Sequence, residues 1–164
     1  MRLAILADTH MPKGERRLPQ ACRRELERAE LILHLGDFRA ASVLAELEAV
    51  GPPVVAVHGN VDDAELCRRL PPERELELDG VRLALVHDAG PAPGRLRRMR
   101  RRFPEADAVL FGHSHLPLHE RDPQTGFEIF NPGSPTERRR SPTHTMGTGE
   151  VEDGGLSLRH LELS

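Results

Sequence analysis

Five short sets of metal-binding side chains punctuate the first two-thirds of this chain: Asp8-Thr9-His10, Gly36-Asp37, Gly59-Asn60-Val61-Asp62, His87-Asp88 and Gly112-His113-Ser114-His115. Imidazole nitrogen and carboxylate oxygen together suit divalent ions of the Mn, Fe, Ni and Zn group. An Asp-x-His pair places two such donors near one another at the start of a loop. In Gly112–His115 an extended backbone would point the side chains at i and i+2 the same way. Gly36, Gly59 and Gly112 let the backbone bend where a larger residue would crowd the ions. Two carboxylates are few for one hard cation but suit a pair of metals that share one of them. Such a pair, with a hydroxide between the ions, keeps a net positive charge that would attract phosphate, and two-metal sites are a known solution to phosphate-ester hydrolysis. Singly these are weak signals, since Gly-Asp and Gly-Asn are ordinary turn residues. Their joint occurrence is what carries weight.

Each set closes an apolar run of strand length. The runs Leu3–Ala7, Leu31–Leu35, Val54–Val57, Val81–His87 and Ala108–Phe111 read as strands buried on both faces. Between them lie helical patterns: Pro19–Arg28 with Cys22, Leu26 and Ala29 on one side, Ala40–Val50 with Val43, Leu44, Leu47 and Val50, and Arg95–Phe103 with Leu96, Met99 and Phe103. Strand, helix, strand in repetition predicts a largely parallel sheet with right-handed crossovers. Sites in open α/β sheets form beyond the carboxyl ends of the strands, so the five sets should converge. After His115 the pattern changes. Leu116–Arg121 and Gly126–Asn131 flank the turn Asp122-Pro-Gln-Thr-Gly, and Thr143–Val151 and Leu156–Leu163 flank Glu152-Asp-Gly-Gly. This tail reads as antiparallel strands forming a second sheet packed on the first.

Composition narrows the function classes. The 164 residues, −3 formal charge, nine His and absence of Trp and Tyr describe one globular domain spanning 1–164, with no base-stacking platforms beyond five Phe. The longest apolar run, Leu3–Ala7, is far short of the roughly 20 residues of a membrane span. No signal peptide is read at the N-terminus, and two cysteines, Cys22 and Cys67, make no disulfide framework, which together point to the cytoplasm.

The series Asp8-x-His10, Gly36-Asp37, Gly59-Asn60-x-Asp62, His87 and Gly112-His113-x-His115 resembles the calcineurin-like metallophosphoesterase superfamily. The short length and Asn131-Pro-Gly-Ser134 resemble its small YfcE-type bacterial and archaeal phosphodiesterases. The resemblance spans residues 1 to about 135. It implies an α/β (α+β) fold in which two mixed sheets pack as a sandwich flanked by helices, the final hairpin fitting the second sheet. It also implies a bimetal centre, with manganese expected first and Ni, Fe or Zn as alternatives. Carried over position by position, Asp8, His10 and His115 would hold one metal, Asn60, His87 and His113 the other, and Asp37 would bridge them. A hydroxide between the metals would attack phosphorus, with Asp37, Asn60 and His113 as the catalytic residues. Two positions depart from the family pattern. Val61 stands where many relatives carry a general-acid His, which favours good leaving groups such as aryl esters. Asp88 stands where Gly often follows the ligand His; it could take left-handed backbone or bring a carboxylate near the ligands.

The remaining polar residues have plainer readings. His34 and His58 read as core or ligand-supporting groups, and His119, His144 and His160 as surface or edge residues. Asp62 either orients His113 or caps a helix starting near Ala64. Asn131–Ser134 is a tight turn that could also offer backbone N–H groups to phosphate. The arginines of Arg95–Arg102 read as a solvated helix face, and Arg138-Arg-Arg140 as the better candidate for a substrate phosphate or a partner. Arginine supplies every basic residue except Lys13, which weakens any argument from a local run. The expected activity is therefore a metal-dependent phosphodiesterase or phosphatase acting on a small-molecule phosphate ester, with no membrane or nucleic-acid partner and self-association left open. The alternatives are a non-catalytic scaffold on the same fold, which would typically lack part of the ligand set, and a nuclease.

Overall fold

The computed structural model describes residues 1–163. In chain order the elements are β1 (Arg2–Leu6), α1 (Gln20–Arg28), β2 (Leu31–His34), α2 (Ala41–Glu48), β3 (Val54–Ala56), α3 (Ala64–Arg69), β4 (Glu73–Leu78), β5 (Val81–Val86), α4 (Arg95–Arg102), β6 (Ala108–Leu110), β7 (Leu118–Arg121), β8 (Glu128–Asn131), β9 (His144–Glu152) and β10 (Gly155–Leu163). They form two five-stranded mixed sheets, ordered β10-β9-β1-β2-β3 and β4-β5-β6-β8-β7.

Side-chain alternation along the strands builds a four-layer stack. From β1, Leu3 and Ile5 face Leu83, Leu85, Leu110 and Phe130 across the sheet–sheet interface. Its Ala4 and Leu6 face the helix layer, with Leu26 of α1 and Leu44 and Leu47 of α2. On the far side, Ala84, Val86, Val109 and Ile129 pack against Met99 and Phe103 at α4. The sandwich flanked by helices is thus present.

Its partition differs from the sequence expectation. The five apolar runs do not make one sheet: β1, β2 and β3 are parallel in one, and β5 and β6 are parallel in the other. The tail does not stay together either. Strands β7 and β8 extend the second sheet, whereas β9 pairs antiparallel with β1 and brings β10 onto the first. The reason is that β1 is apolar on both faces, and an open edge beside it would be a pairing hazard that the final hairpin removes. Strand β4 carried no sequence signal. Its Glu73-Arg-Glu-Leu-Glu-Leu is an edge strand paired with β5, and Leu76 and Leu78 alone turn inward.

His34, at the end of β2, is fully buried and stacks on Phe38 at 3.5 Å between ring centroids. Its Nδ1 accepts from Gly36 N–H at 3.1 Å, so the neutral ring can donate from Nε2 to Thr9 Oγ1, also at 3.1 Å. Burial, helped by the neighbouring His87, pushes its pKa down to about 3. The unfolded ring takes a proton near pH 6.5, so between pH 6.5 and 3 the unfolded chain binds the extra proton. Stability therefore falls as the pH is lowered through that window, by up to about 1.4 kcal/mol per unit from this residue. Chemical denaturation of metal-free protein across pH 4–6.5 should show this slope reduced in His34→Gln. Equal slopes would refute a neutral buried His34.

Candidate metal centre

Every candidate ligand lies in a loop that leaves the carboxyl end of a strand: Asp8 and His10 after β1, Asp37 after β2, Asn60 after β3, His87 after β5, and His113 and His115 after β6. The two sheets deliver them to one place as two clusters. Asp8, His10 and His115 bring one donor atom each within 4.8 Å of one another, and so do Asp37, His87 and His113. Asn60 joins the second cluster, its Oδ1 lying 3.1 Å from His87 Nε2 and 3.2 Å from His113 Nδ1. Asp37 faces both clusters: its Oδ2 is 3.4 Å from His10 Nε2 and 3.1 Å from His87 Nε2.

The loops hold these groups by unusual backbone. Asp8, His10, Asp37, His113 and His115 have φ of +56°, +43°, +61°, +74° and +62°. Left-handed backbone costs an L-residue about 1–2 kcal/mol and persists where surrounding contacts over-determine it. Here a ladder of N–H···O bonds does so, from Asp8 to Gly36, from His10 to Asp37 and from Met11 to Phe38, all 2.9–3.0 Å. The Gly112–His115 stretch is consequently not extended, and His113 and His115 turn to different clusters instead of pointing the same way. Gly59 is required for space: a Cβ there would sit 2.1 Å from Asp37 Oδ1. Gly36 is required for both reasons, with φ +93° and a built Cβ 2.8 Å from His87 Nδ1.

Hydrogen bonds on the outer ring nitrogens aim the imidazoles. His87 Nδ1 donates to Leu35 O at 2.7 Å and His115 Nδ1 to Glu137 O at 2.5 Å, which turns each Nε2 inward toward the carboxylates. Burial lowers the His10 pKa, but the Asp37 and Asp8 carboxylates outweigh it and hold the pKa at about 9. The same balance raises His87. Burial raises Asp37, yet His10 and His87 hold it far below the carboxylate range. At His115 burial prevails over Asp8 and the pKa is lowered. Four atoms of the first cluster are buried with no hydrogen-bond partner: both carboxylate oxygens of Asp8, His10 Nε2 and His115 Nε2. Buried polar atoms are normally paired, and these four are donor types that a divalent metal accepts. The residues therefore fit a metal.

Several neighbours have roles other than those read from the sequence. Asp62 neither contacts His113 nor caps α3; its carboxylate accepts N–H bonds from Gly59, Asp37 and Arg39 at 2.7–3.0 Å, tying the β2 and β3 loops together. Asp63 is the α3 cap. Asp88 stays out of left-handed backbone; it accepts from Gly90 N–H at 2.8 Å and lies 3.9 Å from His113 Nε2. The turn after Asn131 spends its N–H groups internally: Gly133 donates to Asn131 Oδ1, and Thr136 and Glu137 donate to Ser134 Oγ. It acts as a clasp, with Ser134 Oγ on Asp8 O at 2.8 Å and Thr136 Oγ1 on Thr9 O at 2.6 Å. Arg138 is turned onto Ser141 O and Pro142 O. In α4 the arginine face is only partly solvated, since Arg95 and Arg98 hold the carbonyls of Ala89, Gly90 and Pro91 in the loop after His87. His119 and His160 lie on the edge strands β7 and β10, as read, and there flank Phe130 at 5.3 and 4.4 Å between centroids. Glu137 was missed altogether. Its carboxylate is 3.7 Å from His10 Nδ1 and 3.9 Å from His115 Nδ1, and only its place just after the Asn131–Ser134 turn could have drawn attention to it.

Residues 1–154 match the family described as the calcineurin-like phosphoesterase superfamily domain. This chain belongs to that superfamily. It is 32% identical over 149 residues to a probable metallophosphoesterase of Methanothermobacter thermautotrophicus, covering 89% of this chain and 84% of the relative. Among solved structures, Vps29 of Entamoeba histolytica complexed with Zn2+ superposes with a TM-score of 0.78 at 18% identity, over 100% of both chains. An archaeal phosphodiesterase superposes with a TM-score of 0.70 at 19% identity, over 98% of this chain and 100% of the other. The two structures show that the calcineurin-like phosphoesterase fold is shared.

Two outcomes follow from this geometry. Metal added to metal-free protein at pH 7.5 must displace the proton that His10 holds up to about pH 9, so binding should release protons into weak buffer; no release would contradict the charge state derived for His10. Gly59→Ala should displace the Asp37 carboxylate and weaken metal binding more than about tenfold by calorimetry. Unchanged affinity would show that Asp37 is not held where Gly59 leaves room for it.

Proposed function

We propose that this chain is a metal-dependent phosphodiesterase that hydrolyses small phosphate esters at a dinuclear centre. The observation that carries the reading is the convergence of buried, unpartnered donor atoms of Asp8, His10 and His115 beside a second donor cluster, with Asp37 Oδ2 facing both. In this reading Asp8, His10 and His115 hold one cation, Asn60, His87 and His113 the other, and Asp37 contributes to both. Such cations supply Lewis acidity toward a phosphoryl oxygen and lower the pKa of water to give a nucleophile at neutral pH. Manganese is the first candidate, with nickel, iron and zinc as alternatives.

The chain's own residues set the rest. Asp37, anchored through Oδ1 by Val61 N–H at 3.0 Å, keeps its second oxygen between the clusters. Asn60 turns a neutral oxygen toward His87 and His113, so its amide nitrogen is the donor left for a phosphoryl oxygen. The His113 side chain is 46% exposed and stands at the open edge, where it can bond the phosphate. Val61, 40% exposed beside Asn60, offers the departing group no proton. A leaving group must then depart as a stable anion, which favours aryl over alkyl esters. No helix among the described residues is long and apolar enough to cross a membrane, and the cytoplasm is the proposed location. The scaffold reading is less favoured because every ligand position is filled.

The deciding experiment is hydrolysis of bis- and mono-nitrophenyl phosphate after chelation and readdition of Mn, Ni, Zn or Mg. Turnover is expected to return with metal and to fall more than about a hundredfold in Asp37→Asn, which leaves the fold and the other ligands in place. Absence of turnover with every metal would reject the enzyme and favour the scaffold. Across a series of aryl and alkyl diesters, kcat/KM should drop steeply as the leaving-group pKa rises. A flat dependence would reveal a proton donor that Val61 does not supply.

A further inference from the structure

Glu137 supplies two different acceptors to two different rings. Its backbone oxygen accepts from His115 Nδ1 at 2.5 Å, and its carboxylate Oε2 lies 3.7 Å from His10 Nδ1. At that separation the second contact is one of charge and not a hydrogen bond. Asp8 and Asp37 approach His10 through its Nε2, and Glu137 approaches it through Nδ1. Glu137 is itself held at two points. Its N–H donates to Ser134 Oγ at 2.9 Å, and that hydroxyl donates to Asp8 O. Its Oε1 faces Arg16 Nη2 at 3.3 Å, while Arg16 Nη1 donates to the carbonyl of His10 at 3.2 Å.

We infer that Glu137 is a positioning residue for the cation held by Asp8, His10 and His115: its carbonyl fixes the outer nitrogen of the His115 ring, and its carboxylate sets a negative charge behind the outer nitrogen of His10. The inference rests on the proposed metal reading and goes beyond it by naming the group that sets ring orientation and basicity. The physical reason is general. A carboxylate or carbonyl on the far nitrogen of a ligand histidine selects the tautomer, orients the ring and makes the inner nitrogen a better donor. Here the carbonyl serves His115 regardless of side chain, so substitution at position 137 removes only the charge that stands 3.7 Å from His10 Nδ1 and 3.9 Å from His115 Nδ1. The Arg16 contact fixes the carboxylate against the same His10 loop that it supports.

The test is calorimetric titration of metal-free full-length protein with Mn2+, comparing wild type with Glu137→Gln, Glu137→Asp and His10→Ala, alongside melting temperatures without metal. Glu137→Gln is expected to weaken one of the two binding events by about 10- to 100-fold, to leave the other within a few-fold, and to leave the metal-free melting temperature near that of wild type. Glu137→Asp, which keeps the charge, should recover part of the affinity. Wild-type affinities in Glu137→Gln while His10→Ala loses a binding event would overturn this role and leave the metal reading standing. Wild-type affinities in both would overturn the metal reading itself, and this role with it. A lowered metal-free melting temperature with equal loss of both events would make Glu137 a structural residue only, and would also overturn the inference.

Discussion

The structure turns on the burial of two carboxylates against each other's field. Asp8 and Asp37 are removed from water at the junction of two sheets, and neither oxygen of Asp8 has a hydrogen-bond partner. An uncompensated buried carboxylate is among the most costly groups a fold can hold. Four imidazoles and the Asn60 amide surround the pair; in the metal-free protein the two carboxylates hold a proton on His10 up to about pH 9 and raise the pKa of His87. That arrangement is stable enough to form but leaves donor atoms facing inward without partners. Those atoms are of the donor types that a divalent cation accepts.

Holding such a cluster requires rigid supports, and the two halves of the molecule supply them differently. The β1 and β2 loops are stitched to one another by backbone hydrogen bonds, and Asp62 ties the β2 loop to the β3 loop by accepting from the N–H groups of Asp37, Arg39 and Gly59. The loops after β5 and β6 are held by side chains from elsewhere: Arg95 and Arg98 on the carbonyls after His87, and Asn131 Nδ2 on Gly112 O at 3.0 Å. Five candidate ligands sit in left-handed backbone as a result. Strain of this kind collects where geometry matters more than local preference, and the apolar layers on both sides of the sandwich stabilise the loops that carry it.

Much of this was legible in the residues. Helices α1, α2 and α4 and both late hairpins fall within a residue or two of the apolar periodicities and turn signals that mark them, because those signals are local. The convergence of Asp8, His10, Asp37, Asn60, His87, His113 and His115 followed from their shared position at strand ends. What was not legible is non-local. An apolar run states that a strand is buried on both faces but not beside which partner, so the assignment of β9 and β10 to the first sheet could not be read. Strand β4 hides behind three glutamates because an edge strand needs only two inward leucines. Glu137 lies 121 residues from the Arg16 that fixes it, and a single acid in a loop has no period.

The sequence by itself determined which donor atoms exist and that they close apolar runs. These follow from side-chain type and from local order along the chain. The tertiary structure decided how the donors divide, with His113 and His115 sent to different clusters, Asp37 placed between them, and Glu137 set behind His10. That division depends on left-handed backbone stabilised by contacts across the whole chain, and no spacing rule along one strand contains it.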